Sequence, residues 1–142
     1  MKILSRWISS LVIAALALGT AQAADKMKIA MVVKSSGNKF FIAAHDGAKE
    51  AARELGNVDV VFTGPTTPTA EGQIEIINSL IAQKVNAIVI SANDPDALVP
   101  ICKKAMQRGI TVLSFDSSVA EAGRKIQLNP SDAGLIGDKL VS

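Results

Sequence analysis

The sequence predicts an α/β fold built on a parallel sheet. Two observations carry this. Four short runs, "KIAMVV" (28–33), "VDVVF" (58–62), "AIVIS" (87–91) and "ITVLSF" (110–115), are mostly β-branched and close to continuously apolar. Strands buried on both faces of a parallel sheet read this way. Between the runs lie segments with a helical period, so strand and helix alternate, which means βαβ units with right-handed crossovers.

Each helix has its own signals. Phe41, Ala44, Ala48, Ala51, Ala52 and Leu55 recur with a 3.6 period and stop at Gly56, a natural C-terminal stop. Ile74, Ile77, Leu80 and Ile81 form a second stripe after Thr67-Pro68; Thr67 can cap it and Pro68 fits the first turn. Leu98, Ile101, Cys102, Ala105 and Met106 form a third, between Asp94-Pro95 and Gly109. Asp94 reads as that helix's cap. A weaker strand, "KIQL" (125–128), and a helix starting near Ser131 follow. The chain stops at "LIGDKLVS", within a helical pattern, which predicts a truncated domain.

The N-terminus reads differently. "MKILSRWISSLVIAALALGTAQA" carries Lys2 and Arg6, then an apolar stretch from Leu11 to Leu18, then Ala21-Gln22-Ala23. That is a cleaved secretory signal over residues 1–23, with a mature start at Ala24. The apolar stretch falls short of the roughly 20 residues that a membrane span needs. Of the 15 basic residues, two leave with the signal, so 13 basic residues balance 13 acidic ones. Nothing in that balance argues for nucleic acid. Cys102 is the single cysteine, so no internal disulfide forms in an oxidising compartment.

In an open parallel sheet, ligands bind beyond the carboxyl ends of the strands. Four loops leave those ends: Lys34 to Lys39, Thr63 to Thr67, Ser91 to Asp94, and Asp116 to Ser118. They are rich in hydroxyl, amide and charged groups. Phe40 and Phe41 open the first helix at the rim of this crevice. One can face the core and the other can offer a flat apolar face to a ligand. Sugars have apolar C–H faces that stack on aromatic rings, and hydroxyls that need donors and acceptors at the edge. Lys34 is a donor; Asp116 can accept two hydroxyls. Such charge-assisted bonds contribute roughly 1.5–3 kcal/mol each when well placed. A second reading stays open, in which both phenylalanines are core, Lys34 is solvated and Asp116 is a turn residue. Asn93 and Ser117 are weaker ligand candidates.

Enzymatic signals are thin. His45, the one histidine, sits beside the apolar stripe of the first helix, away from the loops. One His and one Cys cannot build a zinc cluster of N and S ligands, and a Ser-His-Asp triad lacks a placed base. No G-x-G-x-x-G or Walker motif follows the first strand. Ser117 and Ser118 follow Asp116, so the second acid of an aspartate-nucleophile hydrolase is absent.

The stretches "KIAMVVKSSGNKFF", "GAKEAARELG", "TGPTTPTAEGQIEIINSLIAQKVNAIVISANDPDALVPICKKAMQRGITVLSFDSS" and "LNPSDAGLIG" resemble the periplasmic sugar-binding proteins of ABC importers, closest to the branch that binds rhamnose or the furanose-like autoinducer. The resemblance covers essentially the whole mature chain. It implies a type I periplasmic binding protein fold: two α/β lobes, a hinge, and a monosaccharide held between them. The first lobe would be a doubly wound parallel sheet in the order 2-1-3-4-5, here residues 24–142, incomplete and without the second lobe. The resemblance also implies ligand roles for Lys34, Asn38, the aromatic pair Phe40 and Phe41, and Asp116, with Asn129 near the first crossing to the second lobe. It implies a monomeric, non-enzymatic binding component, with no cofactor and no metal, that delivers sugar to a membrane permease from the periplasm. Family members run to roughly twice this length, so these residues would bind weakly or not at all by themselves. Two alternatives stand beside this reading: a non-functional truncated remnant, and a small α/β hydrolase using Asp116.

Overall fold

The computed structural model describes residues 25–141, so the signal predicted for residues 1–23 lies outside the described residues. Five strands, β1 (Met27–Val32), β2 (Val58–Thr63), β3 (Ala87–Ile90), β4 (Thr111–Phe115) and β5 (Ile126–Leu128), form one sheet. Every pairing is parallel and the order is β2-β1-β3-β4-β5. The switch in strand order therefore falls beside β1. The four apolar runs and "KIQL" become these strands to within about a residue. β2 departs from the expectation of burial on both faces: it is an edge strand and only half-buried.

Alternate residues of each strand face opposite sides, and the core divides accordingly. On one side Ala30, Val32, Ile88, Ile90 and Val112 pack against α2 (Ala70–Ala82) and α3 (Val99–Gln107), through Ile77, Leu80, Ile101, Cys102 and Ala105. On the other, Met31, Val33 and Phe115 pack against α1 (Lys39–Leu55), through Phe41, Ala44 and Ala48. Helices lie on both faces, so the sheet is doubly wound. Each fully buried Ile or Val contributes about 1.5–3 kcal/mol relative to exposure, so the α2–α3 side is the larger source of stability. A last helix, α4 (Ala133–Val141), follows β5.

The helix ends are set locally. Asn38 Oδ1 accepts the Phe40 N–H at 2.9 Å and starts α1. Gly56, at φ 74°, ends it, donating its N–H to the Ala52 carbonyl; glycine enters this left-handed region at little cost. The cap of α2 is Thr69, not Thr67 as the sequence suggested. Thr69 is extended and its Oγ1 accepts the Gly72 N–H at 3.1 Å, which leaves Pro68 outside the helix. Asp94 also differs from its expected role. Its Oδ1 accepts the N–H groups of Asp96 and Ala97, so it caps the turn before α3, while Leu98 stands at the helix start without a side-chain cap.

The α1 side is covered over only part of its width. Beyond α1, Val89, Phe115 and Leu128 floor an apolar groove of about 340 Å³ that Leu55 and Ala51 border. Leu55 and Leu128 are each 66% exposed.

Candidate functional site

The loops at the carboxyl ends of the strands are laced together. The Ser36 N–H donates to the Pro65 carbonyl, and the Ala92 N–H donates to the Ser117 carbonyl. Gly64 lies so close to the first loop that a Cβ there would stand 2.8 Å from Val33 Cγ2 and 2.9 Å from the Val33 carbonyl oxygen. Backbone-to-backbone packing of this kind is what glycine permits.

Three polar side chains converge above the switch point. Lys34, beyond β1, places Nζ 3.7 Å from Asp116 Oδ2, and both side chains are about one-third exposed (34% and 32%). Ser91, at the end of β3 and fully buried, donates its hydroxyl to the same oxygen at 2.8 Å. Asp116 takes φ 57°, a left-handed conformation that a non-glycine residue adopts at a cost of about 1–2 kcal/mol. β5 offsets that cost: the Asp116 N–H donates to the Leu128 carbonyl, and Gln127 Nε2 donates to the Asp116 carbonyl, both at 3.2 Å. The result is a carboxylate turned out of the strand, beside a cation, at the rim of the sheet.

The aromatic pair splits its duties. Phe41 is 2% exposed and meets Phe115 edge-on, ring centroids 6.0 Å apart. Phe40 is 49% exposed and meets Phe41 edge-on at 5.2 Å. Phe41 thus serves as the anchor, and the accessible aromatic face belongs to Phe40.

The remaining sequence candidates have structural work. Asn38 is the α1 cap. Asn93 Nδ2 donates to the carbonyls of Lys34 and Thr69, both at 3.1 Å, and its main-chain N–H donates to Gln73 Oε1 at 2.8 Å. Both hydrogens of its amide nitrogen are therefore spent. Ser117 is half-buried and ties its loop to Ala92 through its carbonyl. Asn129 is exposed past the end of β5, and its Oδ1 accepts from Gln127 Nε2 at 3.0 Å. His45 stacks on Phe62 with centroids 4.5 Å apart, on α1 rather than among the loops. Burial pushes the Cys102 thiol up to about 11, which leaves it protonated and inert at neutral pH.

Sequence reasoning passed over two residues. Ser91 lay inside a named loop without being singled out; the signal was a hydroxyl directly at a strand's carboxyl end. Gln73 was hidden because it is polar, yet it stands four residues before Ile77, on the apolar stripe of α2, and is fully buried.

Residues 29–140 match the periplasmic binding protein domain family. The D-ribose/D-allose-binding protein of Pseudomonas aeruginosa is 36% identical over 132 residues, covering 84% of this chain and 41% of that protein. The ribose import binding protein of Escherichia coli is 30% identical over 140 residues, covering 99% of this chain and 45% of that one. Among solved structures, an ABC transporter solute-binding protein from Clostridium phytofermentas with bound L-rhamnose superposes with a TM-score of 0.76 and 37% identity, covering 83% of this chain and 36% of that one. LsrB from Clostridium saccharobutylicum, in complex with AI-2, gives 0.75 and 30%, covering 80% and 35%. The chain spans less than half the length of each of these proteins. Its homologues are sugar-binding proteins of ABC importers, a class of transport component without catalytic activity, and the chain belongs to the periplasmic binding protein family.

Proposed function

We propose that residues 24–142 form the N-terminal lobe of an exported monosaccharide-binding protein. It captures its ligand between this lobe and a second one and presents it to an ABC permease. The observation that carries this is the convergence of Lys34, Ser91 and Asp116 at the switch point of the sheet, with the exposed ring of Phe40 resting on Phe41, which in turn meets Phe115 next to Asp116. In this reading Phe40 stacks on the apolar face of the sugar. Asp116 accepts hydroxyl protons, and Lys34 donates to a ring or hydroxyl oxygen. Phe41 holds Phe40 in place, and Asn38 fixes the start of the helix that carries both rings. Relatives that bind ribose, allose, apiose, rhamnose and AI-2 support a small ligand with several hydroxyls in a compact ring. The coverage of less than half of those relatives supports a site whose other wall comes from a second lobe.

Capture would need no chemistry, only closure of two lobes on a hinge, with β5 and Asn129 at the first crossing. The predicted signal over residues 1–23 supports delivery to the periplasm.

The test is an NMR titration of residues 24–142 with L-rhamnose, D-ribose, D-allose and D-apiose. The expected result is weak binding, with Kd of millimolar or above, a binding free energy no more favourable than about −4 kcal/mol, and shifts centred on Lys34, Phe40, Ser91 and Asp116. Shifts that avoid these residues, or no shift with any of the four sugars at hundreds of millimolar, would sink the reading.

A further inference from the structure

We propose that Gln73 and Asn93 are the positioning residues of this site: an amide pair, the first buried and the second half-buried, that braces the loops carrying Lys34 and Ser91 before any ligand arrives. The inference rests on the sugar-site reading above. Gln73 is fully buried on α2, and its amide makes three hydrogen bonds. Nε2 donates to the Val33 carbonyl at 3.1 Å and to the Ser91 carbonyl at 2.8 Å. Oε1 accepts the Asn93 N–H at 2.8 Å. Asn93 extends the same network outward, its Nδ2 bridging the Lys34 and Thr69 carbonyls.

Val33 and Lys34 leave β1, Ser91 and Asn93 leave β3, and Thr69 opens α2. β1 and β3 stay paired as far as Ser91, whose N–H donates to the Val32 carbonyl at 3.0 Å; beyond that bond the two amides link the loops to each other and to Thr69. Lys34 and Ser91 are also the two groups that address Asp116 Oδ2. The amide pair thus stands behind the site, touching the backbones of the contact residues and leaving their side chains free. Pre-set loops lose less conformational freedom on binding, which raises affinity without a new contact. A buried glutamine left half-satisfied would keep the full desolvation penalty of each unmet group, so the network operates as a unit.

The test compares parent, Gln73→Met and Asn93→Ala proteins. Gln73→Met keeps the length of the side chain and removes its hydrogen bonds; Asn93→Ala acts at a half-buried position and spares the core. With circular dichroism unchanged, both variants are expected to weaken L-rhamnose binding at least tenfold. In Gln73→Met the Asn93 amide should also exchange with water at least tenfold faster. Gln73→Glu adds a readout that simple packing would not move. Its carboxylate faces the Val33 and Ser91 carbonyls, so binding should be poor at neutral pH and partly restored at acid pH, where the protonated acid donates one bond. A folded Gln73→Met protein that binds L-rhamnose as tightly as the parent overturns the proposal. If the parent binds none of the four sugars, the functional reading is what has failed. Positioning is then judged on the ligand-free proteins, where unchanged Lys34 and Asp116 resonances in Gln73→Met overturn it.

Discussion

In the proposed sugar site, Asp116 and Lys34 should contribute to binding far more than to folding. Their ion pair is about one-third exposed, and such pairs contribute about 0–1 kcal/mol to stability. Asp116→Ala should therefore shift a urea midpoint little. In the proposed two-lobed binding protein it should weaken sugar binding by tenfold or more, because a buried ligand hydroxyl would lose a charged partner; calorimetry would read both effects. The two phenylalanines should behave oppositely. Phe41→Ala empties a core position and should cost about 3–5 kcal/mol. Phe40→Ala, at a half-exposed ring, should cost under about 1 kcal/mol while still weakening the sugar titration. Equal losses of stability at the two positions would contradict the division of labour between anchor and contact. Cys102 gives a pH signature. Its thiol is held protonated up to about 11 against an ordinary value of 9.0. The folded-state value is the raised one, so this contribution is full below pH 9 and fades as pH climbs towards 11. Denaturation midpoints should fall across that window, and Cys102→Ala should flatten the fall.

At the scale of elements, the start of α1 rests on one side-chain cap. Asn38 satisfies an otherwise orphan N–H at the helix start, and Asn38→Ala should cost about 1 kcal/mol while tilting the segment that carries Phe40. Equilibrium unfolding of the variant checks the first effect, and the sugar titration checks the second. The elements were largely legible beforehand. Continuous β-branched runs and clean 3.6 periods are local signals, and they located β1 to β4 and the three packed helices. Two caps were misread for one reason. Several Thr, Asp and Pro residues crowd each helix start, and which oxygen reaches an N–H depends on where the chain leaves the preceding strand. Thr69 displaced Thr67 in this way, and Asp94 capped a turn instead of a helix.

At the scale of the whole molecule, the sheet is unevenly covered. α2 and α3 seal one face, while on the other the groove beside Leu55, Phe115 and Leu128 stays open. Contiguous apolar surface of this kind binds hydrophobic dyes and promotes association. Residues 24–142 should therefore enhance anilinonaphthalene sulfonate fluorescence in the folded state, and Leu55→Lys with Leu128→Lys should suppress it. Dye binding that survives both substitutions would place the apolar surface elsewhere.

The sequence by itself determined the βαβ alternation, the loops that form the rim, and the candidate donors and acceptors on them, because those follow from periodicity and residue chemistry along the chain. Only the tertiary structure decided which candidates meet. Lys34, Ser91 and Asp116 are far apart in sequence and converge because parallel strands bring their carboxyl ends together. Asn93, a weaker ligand candidate by sequence, has its amide hydrogens on the Lys34 and Thr69 carbonyls, contacts that no local pattern shows. Gln73 emerged only when its apolar stripe was packed onto the sheet, since a polar residue shows its partners only after burial has removed water from around it.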